Sequence, residues 1–296
     1  MSLKNTLRGT GVALVTPFTA SGAVDFAALQ KLIRFVLDAG VAYVVTLGTT
    51  GETSTLSKEE KVEVVQVTFD AVGAQVPVVV GVGGNNTAEV IKELHRLPLE
   101  KAAAVLSASP YYNKPSQEGI YQHYKALAAA TSKPIILYNV PGRTGSNLTA
   151  DTVLRLAHEV SGIAGIKEAS GNMVQCMHIL RRAPQDFLVV SGDDHLAMAQ
   201  IACGMQGVIS VAANCWPRDF SNMVRAALQQ DFEGARILNH KLLPGYDLLF
   251  AENNPAGVKA ALAQLGIIQN YLRLPLVPLS DGVAKQLTAY LHNPSA

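Results

Sequence analysis

Two charged side chains stand together inside an otherwise apolar run, Ile163-Ala-Gly-Ile-Lys-Glu-Ala169. A lysine is almost never fully buried without a partner, because taking an ammonium out of water is costly and drives its pKa down. An amine kept partly neutral in this way attacks a carbonyl and forms a Schiff base. The bland alternatives for Lys167 are a structural ion pair with Glu168 or a strand-end lysine whose head reaches water. Neighbouring side chains on an extended strand point to opposite faces, so Lys167 and Glu168 are expected in two different environments.

Other segments offer matching chemistry. Gly48-Thr-Thr-Gly-Glu52 supplies two hydroxyls, Thr49 and Thr50, in a turn whose glycines let a ligand approach the backbone and whose N–H groups suit a carboxylate. The same five residues also read as an ordinary Gly/Thr turn. Ser109-Pro-Tyr-Tyr-Asn113 and Tyr138-Asn-Val-Pro141 bring tyrosines, which more often fill space with one satisfied hydroxyl than catalyse. Arg143 follows in Gly142-Arg-Thr-Gly145, and its planar fork would suit a carboxylate if it faces a site.

Several signals lead nowhere. Gly81-Val-Gly-Gly84 begins like a nucleotide turn, but Asn86 stands where the third glycine belongs, and no phosphate-binding GxxxxGK[ST] occurs. The histidines show neither HxH nor HExxH spacing, so no metal site is expected. Asp193-Asp194-His195 reads as acidic groups at a helix start rather than as ligands. Cys176, Cys203 and Cys215 are odd in number with no CxxC spacing, which fits a reducing compartment without a disulfide framework.

The elements that must position these groups can be read from hydrophobic patterning. Eight apolar, β-branched-rich runs recur: 11–17, 41–48, 76–83, 102–110, 134–141, 163–169, 187–192 and 208–213. They are near-continuous rather than alternating, as parallel strands covered on both faces require. Helical segments lie between them. One places Leu29, Leu32, Ile33, Val36 and Leu37 on a single face, between a cap at Asp25 and a stop at Gly40. Another opens at Ser57 with Glu60 three residues on, a capping-box spacing.

Eight strand–helix units favour an α/β fold, a (β/α)8 TIM barrel over residues 1–225, above an open doubly wound sheet, which has the same local pattern, since spacing alone does not close the ring. Lys167 would then sit late in strand six, toward the face where barrel enzymes assemble their sites. Beyond about residue 218 the strand signal stops, and helices are expected near 220–229, 232–250, 255–265 and 281–291. Residues 226–296 are therefore expected to form a C-terminal helical extension lying on the barrel or a neighbouring subunit.

Of the 296 residues, 49% are apolar and only 16% charged, so disorder is excluded and contacts between subunits are expected. Twenty-four basic and 23 acidic residues leave a net charge of +1, too little to hold a nucleic acid or an anionic membrane. No stretch approaches a membrane span, and Met1 to Arg8 lack a charged segment followed by an apolar block. A cytoplasmic protein is expected.

Taken together, GTTGE at 48–52, SPYYNKPSQEG at 109–119, YNVPGRTG at 138–145, GIKEASGN at 165–172, SGDD at 191–194 and GVISV at 207–211 resemble the dihydrodipicolinate synthase family. That family belongs to the pyruvate-dependent class I aldolases, which also include N-acetylneuraminate lyase. The resemblance runs along the chain to Glu252-Asn-Asn-Pro-Ala-Gly-Val-Lys259. It implies a barrel with a helical extension, usually a homotetramer. By motif, Lys167 would form the imine with pyruvate and Tyr138 would be the adjacent acid/base. Thr49 and Tyr112 would complete a hydroxyl relay, Tyr112 crossing from a neighbouring subunit. Thr50 would hold the pyruvate carboxylate, Arg143 that of L-aspartate 4-semialdehyde, and Gly192 and Ile209 would line the pyruvate pocket. No metal or organic cofactor is implied.

Feedback-regulated members bind lysine through residues matching Asn85, Glu89 and Tyr111, often with histidines where this chain has Lys58 and Lys61. Two further cations oppose a cationic effector, so weak or absent lysine inhibition is expected. Sialic-acid lyases typically lack the Arg-Thr-Gly at 143–145, which favours the synthase over a keto-sugar-acid aldolase. A metal-dependent barrel hydrolase and an inert pyruvate-binding paralogue are the readings from other classes.

Overall fold

A computed structural model describes residues 2–293. Met1 and residues 294–296, the outer ends of the two expected segments, lie outside the described residues. Eight parallel strands close into a ring in chain order. They are β1 (Gly9–Ala13), β2 (Tyr43–Thr46), β3 (Val78–Gly81), β4 (Ala104–Ala108), β5 (Ile135–Asn139), β6 (Ile163–Glu168), β7 (Leu188–Ser191) and β8 (Gly207–Ser210). Eight helices cover the outside: α1 (Phe26–Asp38), α2 (Lys58–Val72), α3 (Thr87–Arg96), α4 (Gln117–Ala129), α5 (Ala150–Glu159), α6 (Met173–Arg182), α7 (Ala197–Ala202) and α8 (Pro217–Leu228). Three more follow, α9 (Phe232–Phe250), α10 (Ala256–Gln264) and α11 (Asp281–His292). The chain is a (β/α)8 barrel with a helical C-terminal extension, and position 225/226 falls in the last turn of α8.

Local chemistry accounts for these elements. The Asp25 carboxylate accepts the Ala28 N–H at 2.9 Å and caps α1, which Gly40 follows at a φ of 81°. Both bonds of the capping box at Ser57 and Glu60 are formed at the start of α2. The eighth strand ends at 210 rather than 213, and the largest displacement is at the first. The first strand runs 9–13 rather than 11–17, because Gly9 already pairs with Gly207 while Val15 leaves the ladder to donate its N–H to the Asn214 side chain. Ring closure there requires glycine: a Cβ on Gly207, at a φ of 151°, would lie 2.0 Å from the Gly9 carbonyl oxygen.

The apolar core has two layers, as burial of both strand faces demands. A small cluster fills the ring, with Tyr43, Val45, Ile136, Tyr138, Val190 and Ile209 among its members. A larger one lies between strands and helices and continues without a break into α9, α10 and α11 through Leu242, Leu249, Leu262 and Leu287. Among the described residues no helix is long and apolar enough to cross a membrane.

A histidine in the outer layer makes acid stability predictable. His123 on α4 is buried, sharing a hydrogen bond with the Thr87 hydroxyl through Nδ1, while Nε2 is buried without a partner. Burial pushes its pKa down to about 4. An unfolded chain binds this proton near its ordinary value of about 6.5, so the neutral imidazole favours folding fully above that pH. That contribution is lost as pH falls from 6.5 toward 4, by at most about 3 kcal/mol. Denaturant melts at pH 7.5 and 4.5 should show His123→Asn losing less stability on acidification than the parent. Equal losses would contradict the assignment.

Candidate active site

Register and pleat bring the amine and the phenol together. Lys167 on β6 pairs with Tyr138 on β5, and each faces the interior of the ring at the C-terminal ends of the strands. The Lys167 Nζ lies 4.3 Å from the centroid of the Tyr138 ring. Both residues are buried, Lys167 to 5% exposure. Among the described residues Lys167 takes part in none of the ion pairs, including that weighed with Glu168. The ring face packs against the nitrogen and orients the amine.

Glu168 faces the other way. Its fully buried carboxylate accepts the Asn139 side-chain N–H at 3.1 and 3.2 Å, the Gln175 side-chain N–H at 3.0 Å and the Ser170 backbone N–H at 2.7 Å. Asn139 is its register partner, so this network ties together the ends of the strands that carry Tyr138 and Lys167. The sequence gives no sign of it, since its donors are ordinary amides.

The mouth of the ring opens into a cleft of about 610 Å³, lined by Thr49, Tyr138, Val140 and Arg143 at its inner end. Its outer end is lined by Lys58, Lys61, Asn85, Glu89, Arg96 and Tyr111. Packing around the Lys167 stem is tight. A Cβ on Gly192 would stand 2.8 Å from Lys167 Cε and 2.7 Å from Ala169 Cβ, so only glycine leaves the lysine stem its place. Ile209, 1% exposed, belongs to the interior cluster with Tyr138. Thr50 is buried just behind Thr49 in a short helical turn, Thr49–Gly51.

Not every expected group converges. Tyr112 is 88% exposed with a φ of 70°, and it is absent from the cleft that its neighbour Tyr111 lines. Thr49 and Tyr138 share the cleft, and among the described residues no hydrogen bond joins them, so they form no hydroxyl relay within this chain. Asp193 accepts the N–H groups of His195 and Leu196 at 3.0 and 3.3 Å, just before α7. Asp194, its pKa raised by burial, accepts those of Val211 and Ala212 at 3.1 and 2.8 Å and fixes the turn after β8. Both acids are thus committed to backbone. Among the described residues no group of three or more His, Cys, Asp or Glu could hold a metal.

A family model described as the dihydrodipicolinate synthetase family matches residues 6–293. The chain belongs to this family. The 4-hydroxy-tetrahydrodipicolinate synthase of Flavobacterium psychrophilum is 49% identical over 282 residues, covering 95% of this chain and 96% of the relative. The solved structure of chloride-inhibited dihydrodipicolinate synthase from Acinetobacter baumannii, complexed with pyruvate, is 41% identical with a TM-score of 0.95, covering 98% of this chain and 99% of that one. That of the enzyme from Cyanidioschyzon merolae with lysine bound is 34% identical with a TM-score of 0.94, covering 98% of each.

Within this family member, sequence reasoning missed a second buried lysine. Lys259 on α10 is fully buried, ion-paired with Glu52 of the GTTGE turn, bonded to the Tyr271 carbonyl at 2.9 Å and 4.0 Å from the Phe18 ring centroid. Burial lowers its pKa to about 8. A charge stands out in a strand covered on both faces, whereas on a helix such as that of Lys259 a lysine is ordinary. Its commitment to Glu52 separates it from the unpaired Lys167.

The crowding at Gly192 yields a direct expectation. Gly192→Ala should lower kcat roughly 10- to 100-fold by displacing the lysine stem, since small misplacements of a reacting group are costly. Steady-state kinetics beside a melting curve checks this. Unchanged kcat in a folded variant would contradict it.

Proposed function

We propose that the chain is a 4-hydroxy-tetrahydrodipicolinate synthase, condensing pyruvate with L-aspartate 4-semialdehyde through an imine on Lys167. The observation that carries this is an unpaired amine, buried in the ring and stacked on a tyrosine at the mouth of a cleft. The family supports the same chemistry.

In this reading the Lys167 amine attacks the pyruvate carbonyl and water leaves, so the imine becomes an electron sink. Tyr138 moves protons at the reacting centre: to the departing hydroxyl, then from the pyruvate methyl as the enamine forms. A phenol is a poor base alone, so Thr49 and a second tyrosine carry the proton onward. The enamine attacks the aldehyde carbon, the amino group of the second substrate displaces Lys167, and the ring closes. Thr50 holds the pyruvate carboxylate and Arg143 that of the aldehyde, while Gly192 and Ile209 shape the pyruvate pocket. No metal or organic cofactor takes part in these steps.

Tyr112 fits as the second tyrosine only in an assembly. A bulky residue at positive φ, strained and exposed, is what a group extended into a neighbouring subunit presents. We take the assembly to be a homotetramer, with the chemistry in residues 1–225, the helical extension in 226–296, and a cytoplasmic location.

The outer cleft, with Asn85, Glu89 and Tyr111, is poorly set for lysine. Glu93 there binds Lys61 at 3.0 Å and also Arg96, Glu89 binds Lys92 at 2.7 Å, and Lys58 adds another cation. A cationic effector therefore meets carboxylates already engaged. Lysine is expected to inhibit weakly or not at all, and half-inhibition well below millimolar lysine would contradict this.

The substrate assignment is tested by assaying the purified enzyme with pyruvate and L-aspartate 4-semialdehyde, and separately with sialic and 2-keto-3-deoxy sugar acids. Condensation of the first pair is the expected result. Cleavage of a sugar acid without condensation would reassign it to a keto-sugar-acid aldolase.

A further inference from the structure

The loop between α9 and α10 reaches both groups assigned above to carboxylate binding, although it belongs to the C-terminal extension. Asn254 is buried, and its side-chain N–H donates to the Thr50 hydroxyl oxygen at 3.0 Å. Its backbone carbonyl accepts from Arg143 Nη2 at 3.1 Å, and the Asn253 side-chain oxygen accepts from the same nitrogen at 2.9 Å. The Asn253 oxygen also accepts the Asn254 N–H at 2.9 Å, which locks the dipeptide to itself. Asn253 adopts a φ of 77°, a left-handed conformation that asparagine tolerates better than most residues.

We propose that Asn253 and Asn254 are positioning residues that aim the two carboxylate-binding groups and set the spacing between them. This rests on the roles given to Thr50 and Arg143 under the proposed function. The argument for Thr50 concerns the direction of one proton. A hydroxyl has one donor and two acceptor sites, and Asn254 fills an acceptor site. Among the described residues the Thr50 hydroxyl donates to nothing, so its proton points away from Asn254 and is available to a carboxylate oxygen. For Arg143 the two asparagines engage Nη2 alone, which fixes the guanidinium while leaving Nε and Nη1 to bind a ligand.

The loop is itself held firmly. Five residues on, Lys259 grips Glu52 at the end of the same turn that carries Thr50, and the backbone N–H of Arg273 donates to Glu52 at 3.1 Å. Although the Asn254 backbone also meets Arg143, the side-chain contacts divide, that of Asn254 going to Thr50 and that of Asn253 to Arg143. Asn254 acts through Thr50 on pyruvate, and Asn253 acts through Arg143 on the aldehyde.

Three variants of the intact enzyme test this. Asn254→Ala should raise the KM for pyruvate about tenfold and slow borohydride trapping of pyruvate, as expected for a lost donor that orients a group binding a charge. The KM for the aldehyde should stay within about twofold. Asn254→Asp keeps the shape but offers Thr50 only acceptors, so the hydroxyl proton turns toward it and the KM for pyruvate rises at least as far. Asn253→Gly keeps the left-handed backbone and should raise the KM for the aldehyde roughly fivefold while pyruvate trapping proceeds at the parental rate. Parental constants in all three folded variants, or both KM values rising together in each, would overturn the proposal. A parent enzyme that traps no pyruvate would instead remove the function on which it rests, and the proposal with it.

Discussion

Lys167→Met is expected to lower turnover by roughly 10⁴-fold or more, to the floor of the assay, because no other group can form the imine. The same variant should melt at the parental temperature or above it. A buried lysine without a partner is a cost to folding, and methionine fills the volume of its stem. Lys259→Met should do the opposite in stability. It leaves the Glu52 carboxylate buried without its cation, a loss of about 3 to 5 kcal/mol. Melting curves and steady-state rates for the two variants separate a functional buried lysine from a structural one. Strong destabilisation by Lys167→Met, or near-parental turnover, would contradict the assignment.

Tyr138→Phe is expected to lower kcat by about 10² to 10⁴, the range for removing a group that transfers protons in the transition state. The ring remains, so the Lys167 Nζ keeps the aromatic face on which it rests, 4.3 Å from the centroid. The variant therefore isolates the hydroxyl. The KM for pyruvate should change little, since Thr50 rather than Tyr138 is assigned to the carboxylate. The measurement is steady-state kinetics with both substrates varied. A fall in kcat of less than about fivefold would assign proton transfer to another group.

The barrel and the buried lysine inside it are legible in the sequence because both follow from patterns local to the chain. Strands covered on two faces must be apolar throughout, so a charge within one stands out, as Lys167 and Glu168 do. Alternation then separates the two, one toward the ring and Tyr138, the other into the amide network of Asn139 and Gln175. Exact strand limits were less legible. Residues 15–17 continue the apolar run of β1 but leave the ladder after Leu14 has donated to the Val45 carbonyl, because Val15 turns to Asn214, 199 positions away.

Contacts made over such separations leave no periodic trace. Asn254 meets Thr50 across 204 positions, and Arg143 meets Asn253 across 110. Asn253-Asn254-Pro255 reads locally as a turn, which it is, and nothing in its spacing names the partners. Tyr112 illustrates a different limit: its exposure and its positive φ are properties of the fold, while the sequence offers only a tyrosine beside another tyrosine.

The account stands or falls on which amine bonds to the keto acid. Borohydride reduction of the enzyme with pyruvate, followed by peptide mass spectrometry, tests it most directly. The predicted result is a single adduct on Lys167, with the mass of one pyruvate less one water plus two hydrogens, and none in Lys167→Met. An unmodified Lys167, or an adduct carried by Lys259 or a surface lysine instead, would contradict it.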